Sequence, residues 1–132
     1  MIFIETIYHR LIEETAYITT DDYSVDWLNQ SRAYYSGYKT RKLEATIPVL
    51  KELLKTLERK RIAATNAAKQ NDSNRLKYVA NIYLTLSDTV ADEITNSILK
   101  EVLKENDPNI KDLLLQAIDS TVQKEIKPFN QD

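Results

Sequence analysis

Few side chains in this 132-residue sequence could carry acid–base or metal chemistry, and their spacing assembles no site. His9 is the one histidine, with Glu5 and Glu13 a helical turn to either side. A general base needs a group to act on within hydrogen-bond reach. No serine or cysteine stands at a fixed spacing from His9, so it reads as structural or solvent-facing. Glu13-Glu14 and Asp21-Asp22 are carboxylate pairs without the ligand spacing or the glycine of a calcium loop, and they read as solvated surface and helix caps. Asp88, Asp92 and Glu93 resemble a fragment of a carboxylate-bridged dimetal helix. That chemistry takes Glu-x-x-His motifs, and no histidine is available for one. The absence of cysteine removes thiol nucleophiles, disulfides and thiolate zinc sites. A single glycine removes the phosphate cradles GxxxxGK(S/T) and GxGxxG. The sequence therefore predicts no enzyme, with no catalytic residue, cofactor, metal ion or small-molecule substrate.

The charge pattern points instead to an anionic partner. Residues 1–31 carry one basic against six acidic side chains, and residues 62–132 carry eight against eleven. Between them, residues 32–61 reverse the sign: nine basic side chains (Arg32, Lys39, Arg41, Lys42, Lys51, Lys55, Arg59, Lys60 and Arg61) stand against Glu44, Glu52 and Glu58. A local basic patch in a chain of net charge −2 is a stronger footprint for a polyanion than net charge alone. The plain counter-reading is a solvated helix face, since Lys51, Lys55 and Arg59 recur at i, i+4 and i+8.

The elements that must position these residues are helices. Hydrophobic residues make up 42% of the chain and charged residues 29%, which excludes wholesale disorder. Near-absence of glycine argues against tight hairpins, and no segment alternates with period two. Phe3, Ile7, Leu11 and Ile12 form a helical stripe over residues 2–14. A brief helix over 24–29, capped by Asp22 or Ser24, and a second over 31–42, capped by Ser31, follow. Thr46 and Pro48 open a long helix carrying Ile47, Leu50, Leu53, Leu54, Leu57 and Ile62, and residues 71–74 break it. A second long stripe runs through Val79, Tyr83, Leu86, Val90, Ile94, Ile98 and Val102, and a last helix spans about 108–126. The predicted fold is all-α: a short-helix helix-turn-helix-like region followed by a bundle of long amphipathic helices. It forms a single domain over 1–132, with the short-helix part at 1–58 and the long-helix part at 59–132.

Within residues 24–57, Leu28, Asn29 and Ser31 give an apolar residue, a turn and a cap. Tyr35-Ser36 gives an apolar–Ser pair with Tyr38 on the next core position, and residues 39–42 form a basic loop. Thr46 with Leu50, Leu53 and Leu57 gives a capped final helix. This segment resembles the second half of a Cro/C1-type helix-turn-helix. It is also similar to small bacterial helix-turn-helix-like proteins, for which the resemblance implies no activity. It departs from the pattern at Arg41, where glycine is usual, at Ala45, where proline is common, and at Gln30 and Trp27. The resemblance implies a small DNA-binding protein, a transcriptional regulator whose recognition helix starts at Ser31. The predicted nucleic-acid contacts are Ser31, Arg32, Tyr34, Ser36, Lys39, Thr40, Arg41 and Lys42. Of these, Arg32 is placed for a base edge, and Lys39, Arg41 and Lys42 for phosphates. Tyr35 and Tyr38 fall on the packing side, and Gly37 in a helix interior asks for a close approach or a helix end.

A 30-residue helix is about 45 Å long, and its apolar stripe needs cover throughout. A homodimer through the long helices is the expected arrangement, and it suits a reader of two half-sites. The rival reading is a helical protein–protein interaction module (an adaptor, inhibitor or antitoxin-like protein) that binds no nucleic acid. The start, Met1-Ile-Phe-Ile-Glu5, lacks the basic lead of an export signal. The uncharged run over 78–87 is far short of the about 20 residues of a membrane helix. A cytoplasmic location with no membrane partner is expected.

Overall fold

The computed structural model describes residues 1–104 and 115–116 of the chain. Every regular element among them is helical, as the periodicity predicts. In order these are α1 (Phe3–Glu14), α2 (Thr20–Asp22) continuing into one π-helical turn (Tyr23–Trp27), α3 (Tyr34–Arg41), α4 (Ile47–Asn71) and α5 (Asn74–Lys104). The helix predicted over about 108–126 lies outside the described residues. The chain divides into two compact units, Met1–Thr95 and Asn96–Asp132. In the second, the described residues are the last turns of α5 and the helical pair 115–116.

The long helices carry their own start and stop signals. Thr46 precedes α4 in extended conformation but, against expectation, its hydroxyl caps no N–H of the helix, and Pro48 falls in the first turn, where no intrahelical N–H is needed. At the other end Asp72 takes the left-handed conformation (φ 46°), which Asp tolerates better than most residues. The Ser73 N–H then bonds to the Ala68 carbonyl, and the Ser73 hydroxyl accepts the Leu76 N–H, capping α5. A helical hairpin results. α4 buries Val49, Leu50, Leu53 and Leu57, and α5 buries Ile82, Leu86, Val90 and Ile94 in the same core. Near the turn the buried residues shrink to Ala64, Ala68 and Ala80, with Ala68 and Ala80 bordering one small recess. The expected α5 stripe is thus displaced at its start: Val79 is half-buried, Ala80 is buried, and Ile98 is exposed. The change of character expected near residue 58 falls inside α4, which is continuous there.

Two of the three short helices, α1 and α3, are held by groups from elsewhere in the chain. α1 has no side-chain cap of its own at Ile2. Its first N–H, on Phe3, donates to the Glu44 carboxylate at 2.8 Å, an anion at the positive end of the helix. At the opposite end the Arg75 guanidinium, from the start of α5, donates to the Glu14 and Thr15 carbonyls at 3.2 and 2.9 Å. The buried face of α1 is Ile4, Ile7, Tyr8 and Leu11, while Phe3 and Ile12 are half-buried. The predicted stripe is rotated by one position because two tyrosine hydroxyls fix the register. Tyr8 donates to the Ile18 carbonyl, and Tyr23 donates to the Ile4 carbonyl at 2.7 Å.

Candidate nucleic-acid interface

The path into α3 is set by backbone geometry that local sequence rules do not describe. Thr19 caps α2, its hydroxyl accepting the Asp22 N–H at 3.0 Å. In the π turn the Leu28 N–H reaches the Tyr23 carbonyl and the Gln30 N–H the Ser24 carbonyl. Asn29 then takes φ 56°, a left-handed turn residue as expected of the apolar–turn–cap pattern. The helix after it begins at Tyr34, three residues later than predicted, and Ser31 is not its cap. The Ser31 carbonyl accepts the Tyr34 N–H in a turn over residues 31–34. The capping hydroxyl comes instead from Ser24. Its Oγ accepts the Tyr35 N–H at 3.0 Å while donating to the Thr20 carbonyl at 3.1 Å. Ser24 is fully buried, so this bond joins the π turn to α3 inside the core. Ser31 and Arg32 therefore lie in the turn before α3, both exposed.

Aromatic packing fixes the inner face of α3. Tyr8, Tyr23 and Tyr35 form a triangle with ring centroids 4.9–5.0 Å apart, and Tyr23 and Tyr35 meet edge to face. Burial, then the neighbouring phenols Tyr35 and Tyr8, push the Tyr23 hydroxyl well above the ordinary tyrosine value. Burial, then Glu5 and Tyr8, raise Tyr35 as well. The Tyr35 hydroxyl is buried and has no hydrogen-bond partner among the described groups. On the flank, Tyr34 stacks on Tyr38 at 4.1 Å, and the Arg41 guanidinium lies over the Tyr38 ring at 5.3 Å. Burial, then Tyr38, raises the Tyr34 phenol, whose oxygen is enclosed. Tyr34, predicted as a nucleic-acid contact, is instead stacked on Tyr38, and its oxygen does not face outward.

The remaining predicted residues are exposed but do not all share one face. At 100° per residue, Ser36 and Thr40 point away from Tyr35, and both are exposed, as are Lys39, Arg41 and Lys42. Gly37 lies mid-helix, its carbonyl accepting the Arg41 Nε–H at 3.2 Å, and a Cβ there would touch the same guanidinium at 3.4 Å. That is an ordinary contact distance, so the fold-back of Arg41 does not require glycine here. Lys42 ends α3 in the left-handed conformation, φ 56° and ψ 42°, and the Leu43 N–H closes onto the Tyr38 carbonyl. A β-carbon-bearing side chain costs roughly 1 kcal/mol in that conformation, where glycine is the usual choice.

The fate of the nine cations is mixed. Lys39 faces Glu5 at 3.9 Å, Lys55 pairs with Glu52 and Arg61 with Glu58. Lys60 lies over the Trp27 ring, and Arg59 donates to the Thr56 hydroxyl. Arg32, Lys42 and Lys51 have no carboxylate within 4.0 Å among the described residues. Lys39 and Lys42 border an open recess of about 450 Å³ with Met1, Ile2, Glu5 and Glu44, between the start of α1 and the end of α3. Glu5 was not singled out as part of a site. It contacts α3 across 34 residues of sequence, a pairing that no local spacing rule encodes.

Ser31 and Arg32 in the turn before α3, and Ser36, Lys39, Thr40, Arg41 and Lys42 on α3 and its end, are thus all exposed, with Ser36 and Thr40 turned away from Tyr35 and Lys39 and Lys42 bordering the recess against α1. The arrangement offers hydrogen-bond donors and positive charge. Among the described residues no three of His, Asp and Glu come together as a metal site, and no helix is long and apolar enough to cross a membrane. No curated protein and no solved structure matches the chain. Residues 4–104, which take in α1 to α5, match a family of unknown function (DUF6626), and the chain belongs to that family.

Proposed function

We propose that this chain binds duplex DNA through the turn over residues 31–33 and the exposed side of α3, as a small transcriptional regulator. The observation that carries the reading is the division of α3 into two faces. Tyr35 is sealed in the core and its N–H is capped by Ser24, while Arg32, Ser36, Thr40, Arg41 and Lys42, in the turn before α3 and along it, are all exposed. A recognition helix needs one face to pack and another to enter a groove about 12 Å wide. Arg32, at the N-terminal approach, is the base-edge reader, and Arg41 and Lys42 hold phosphates. Lys42 adds support: a cation is kept where glycine would relieve the backbone. A second copy of the chain supplies the second half-site.

The test is fluorescence anisotropy on a labelled duplex of about 20 base pairs across a salt series. Binding that weakens steeply with salt is expected, because phosphate contacts release counterions. Arg32→Ala should relax sequence preference, and Lys42→Ala should weaken all duplexes alike. No binding at 50 mM salt, where phosphate contacts are strongest, contradicts the reading. The second reading, a protein-interaction module, draws on the exposed apolar residues Ile62 and Leu84 of the long helices. Indifference to DNA together with a stable co-purifying partner would favour it.

A further inference from the structure

Among the described residues, Glu5 differs from the other acidic residues in standing between two cation-forming groups. Its carboxylate is 3.7 Å from Nε2 of His9, one turn on in α1, and 3.9 Å from Nζ of Lys39 in α3. Both distances fall within ion-pair reach and beyond the 2.7–3.2 Å of a direct N–H···O bond. The Glu5 side chain is only 14% exposed, whereas His9 and Lys39 remain 39% and 49% exposed. The surrounding groups leave this carboxylate uncommitted. Glu44 and Lys42 share its recess, but Glu44 is engaged by the Phe3 N–H. Arg10 is held by Glu14. From the core side come Tyr8, whose ring meets His9 edge-on at 6.0 Å, and Tyr35, whose unpartnered hydroxyl senses the Glu5 charge; Tyr23 closes the cluster behind them.

We propose that Glu5 is a shared counter-ion that couples the charge on His9 to the availability of Lys39 at the DNA-facing edge of α3. The inference rests on the DNA-binding reading above and names how that site is regulated. With His9 neutral, Glu5 faces Lys39 alone and draws it back toward α1. When His9 takes a proton from solvent, one carboxylate serves two cations, and Lys39 is released toward phosphate. Duplex affinity therefore rises as pH falls through the range where histidine changes charge. Linkage makes the effect reciprocal: DNA that engages Lys39 returns Glu5 to His9 and favours the protonated imidazole.

Two measurements on the full chain separate the parts of this claim. The lone imidazole gives one assignable set of proton resonances, so its titration can be followed by NMR in the wild type, Glu5→Gln and Lys39→Met without DNA. The shared carboxylate predicts a midpoint moved to lower pH in Glu5→Gln and to higher pH in Lys39→Met. Unmoved midpoints in both overturn the proposal, whatever the chain binds. Lys39 lies on the surface, so the Lys39→Met arm stands even if Glu5→Gln fails to fold. Anisotropy on the labelled duplex at pH 5.5 and 8.0 then tests the coupling. Wild type should gain affinity at the lower pH by about threefold more than Glu5→Gln, within the range of a partly exposed ion pair. Equal pH ratios in the two proteins overturn the coupling. Absence of binding at both pH values removes the DNA reading and this coupling with it, and the imidazole titration still reports separately on Glu5.

Discussion

In the α4–α5 hairpin each helix carries its own instructions. Pro48 opens one, Asp72 closes it and Ser73 caps the next, all within a few residues of the ends they serve. In the region of α1 to α3 the instructions come from far along the chain. Glu44 caps α1 from 41 residues away, Arg75 closes it from the start of α5, and Ser24 caps α3 from 11 residues away. Helices of 8 to 12 residues are marginal alone, so the short-helix region exists only as part of the folded unit. The proposed reading surface is built on the region whose shape depends most on long-range contacts. Its rigidity is borrowed from the core, and this places exposed cations on a fixed frame.

The largest effect that tests this contrast concerns the core shared by both regions. Leu57, fully buried against that core, should cost about 2–5 kcal/mol as Leu57→Ala in chemical denaturation. Ile62, one turn on and 50% exposed, should cost no more than about 0.5 kcal/mol. Next comes the long-range cap. Ser24→Ala leaves the Tyr35 N–H buried without its partner and should cost about 1–2 kcal/mol, whereas Ser31→Ala should stay within about 0.5 kcal/mol. Equal costs would return the cap to Ser31.

The tyrosine triangle sharpens the comparison further. Tyr23→Phe loses a 2.7 Å bond to the Ile4 carbonyl and should cost about 1 kcal/mol. Tyr35→Phe removes a buried hydroxyl with no partner and should be neutral or stabilising. Both phenols are held protonated in the fold above the ordinary tyrosine value, so the stability they contribute is intact below about pH 10 and is lost as pH rises beyond it. Denaturation followed by the fluorescence of Trp27 should show a decline above about pH 10 that is shallower in Tyr23→Phe. The smallest effect has the opposite sign. Lys42→Gly relieves a left-handed backbone and should stabilise the chain by up to about 1 kcal/mol while weakening DNA binding. Unchanged affinity would make Lys42 a turn residue only.

How far the sequence could be read follows from the same contrast. The boundaries of α4 and α5 are written locally, in Pro48 and in the break over residues 71–74, and sequence spacing places them within a residue or two. The start of α3 is misplaced by three residues because Ser31 has the chemistry of a cap and Ser24 has the position. The face of α1 is rotated because the Tyr8 and Tyr23 hydroxyls reach carbonyls 10 and 19 residues away and set its register. Tyr35 was legible as core, since an apolar ring on the inner side of a short helix has nowhere else to go. Glu5 was not legible, because its partner Lys39 lies on another helix.

The account stands most directly on where DNA touches the protein. Amide resonances of the isotope-labelled chain, followed by NMR during titration with a duplex of about 20 base pairs at low salt, read this residue by residue. The prediction is that the largest shifts cluster at residues 31–42, with Arg32, Ser36, Thr40 and Lys42 foremost. Shifts centred on the acidic residues of α1 and α2, or on the exposed apolar residues of α4 and α5 with residues 31–42 silent, contradict it.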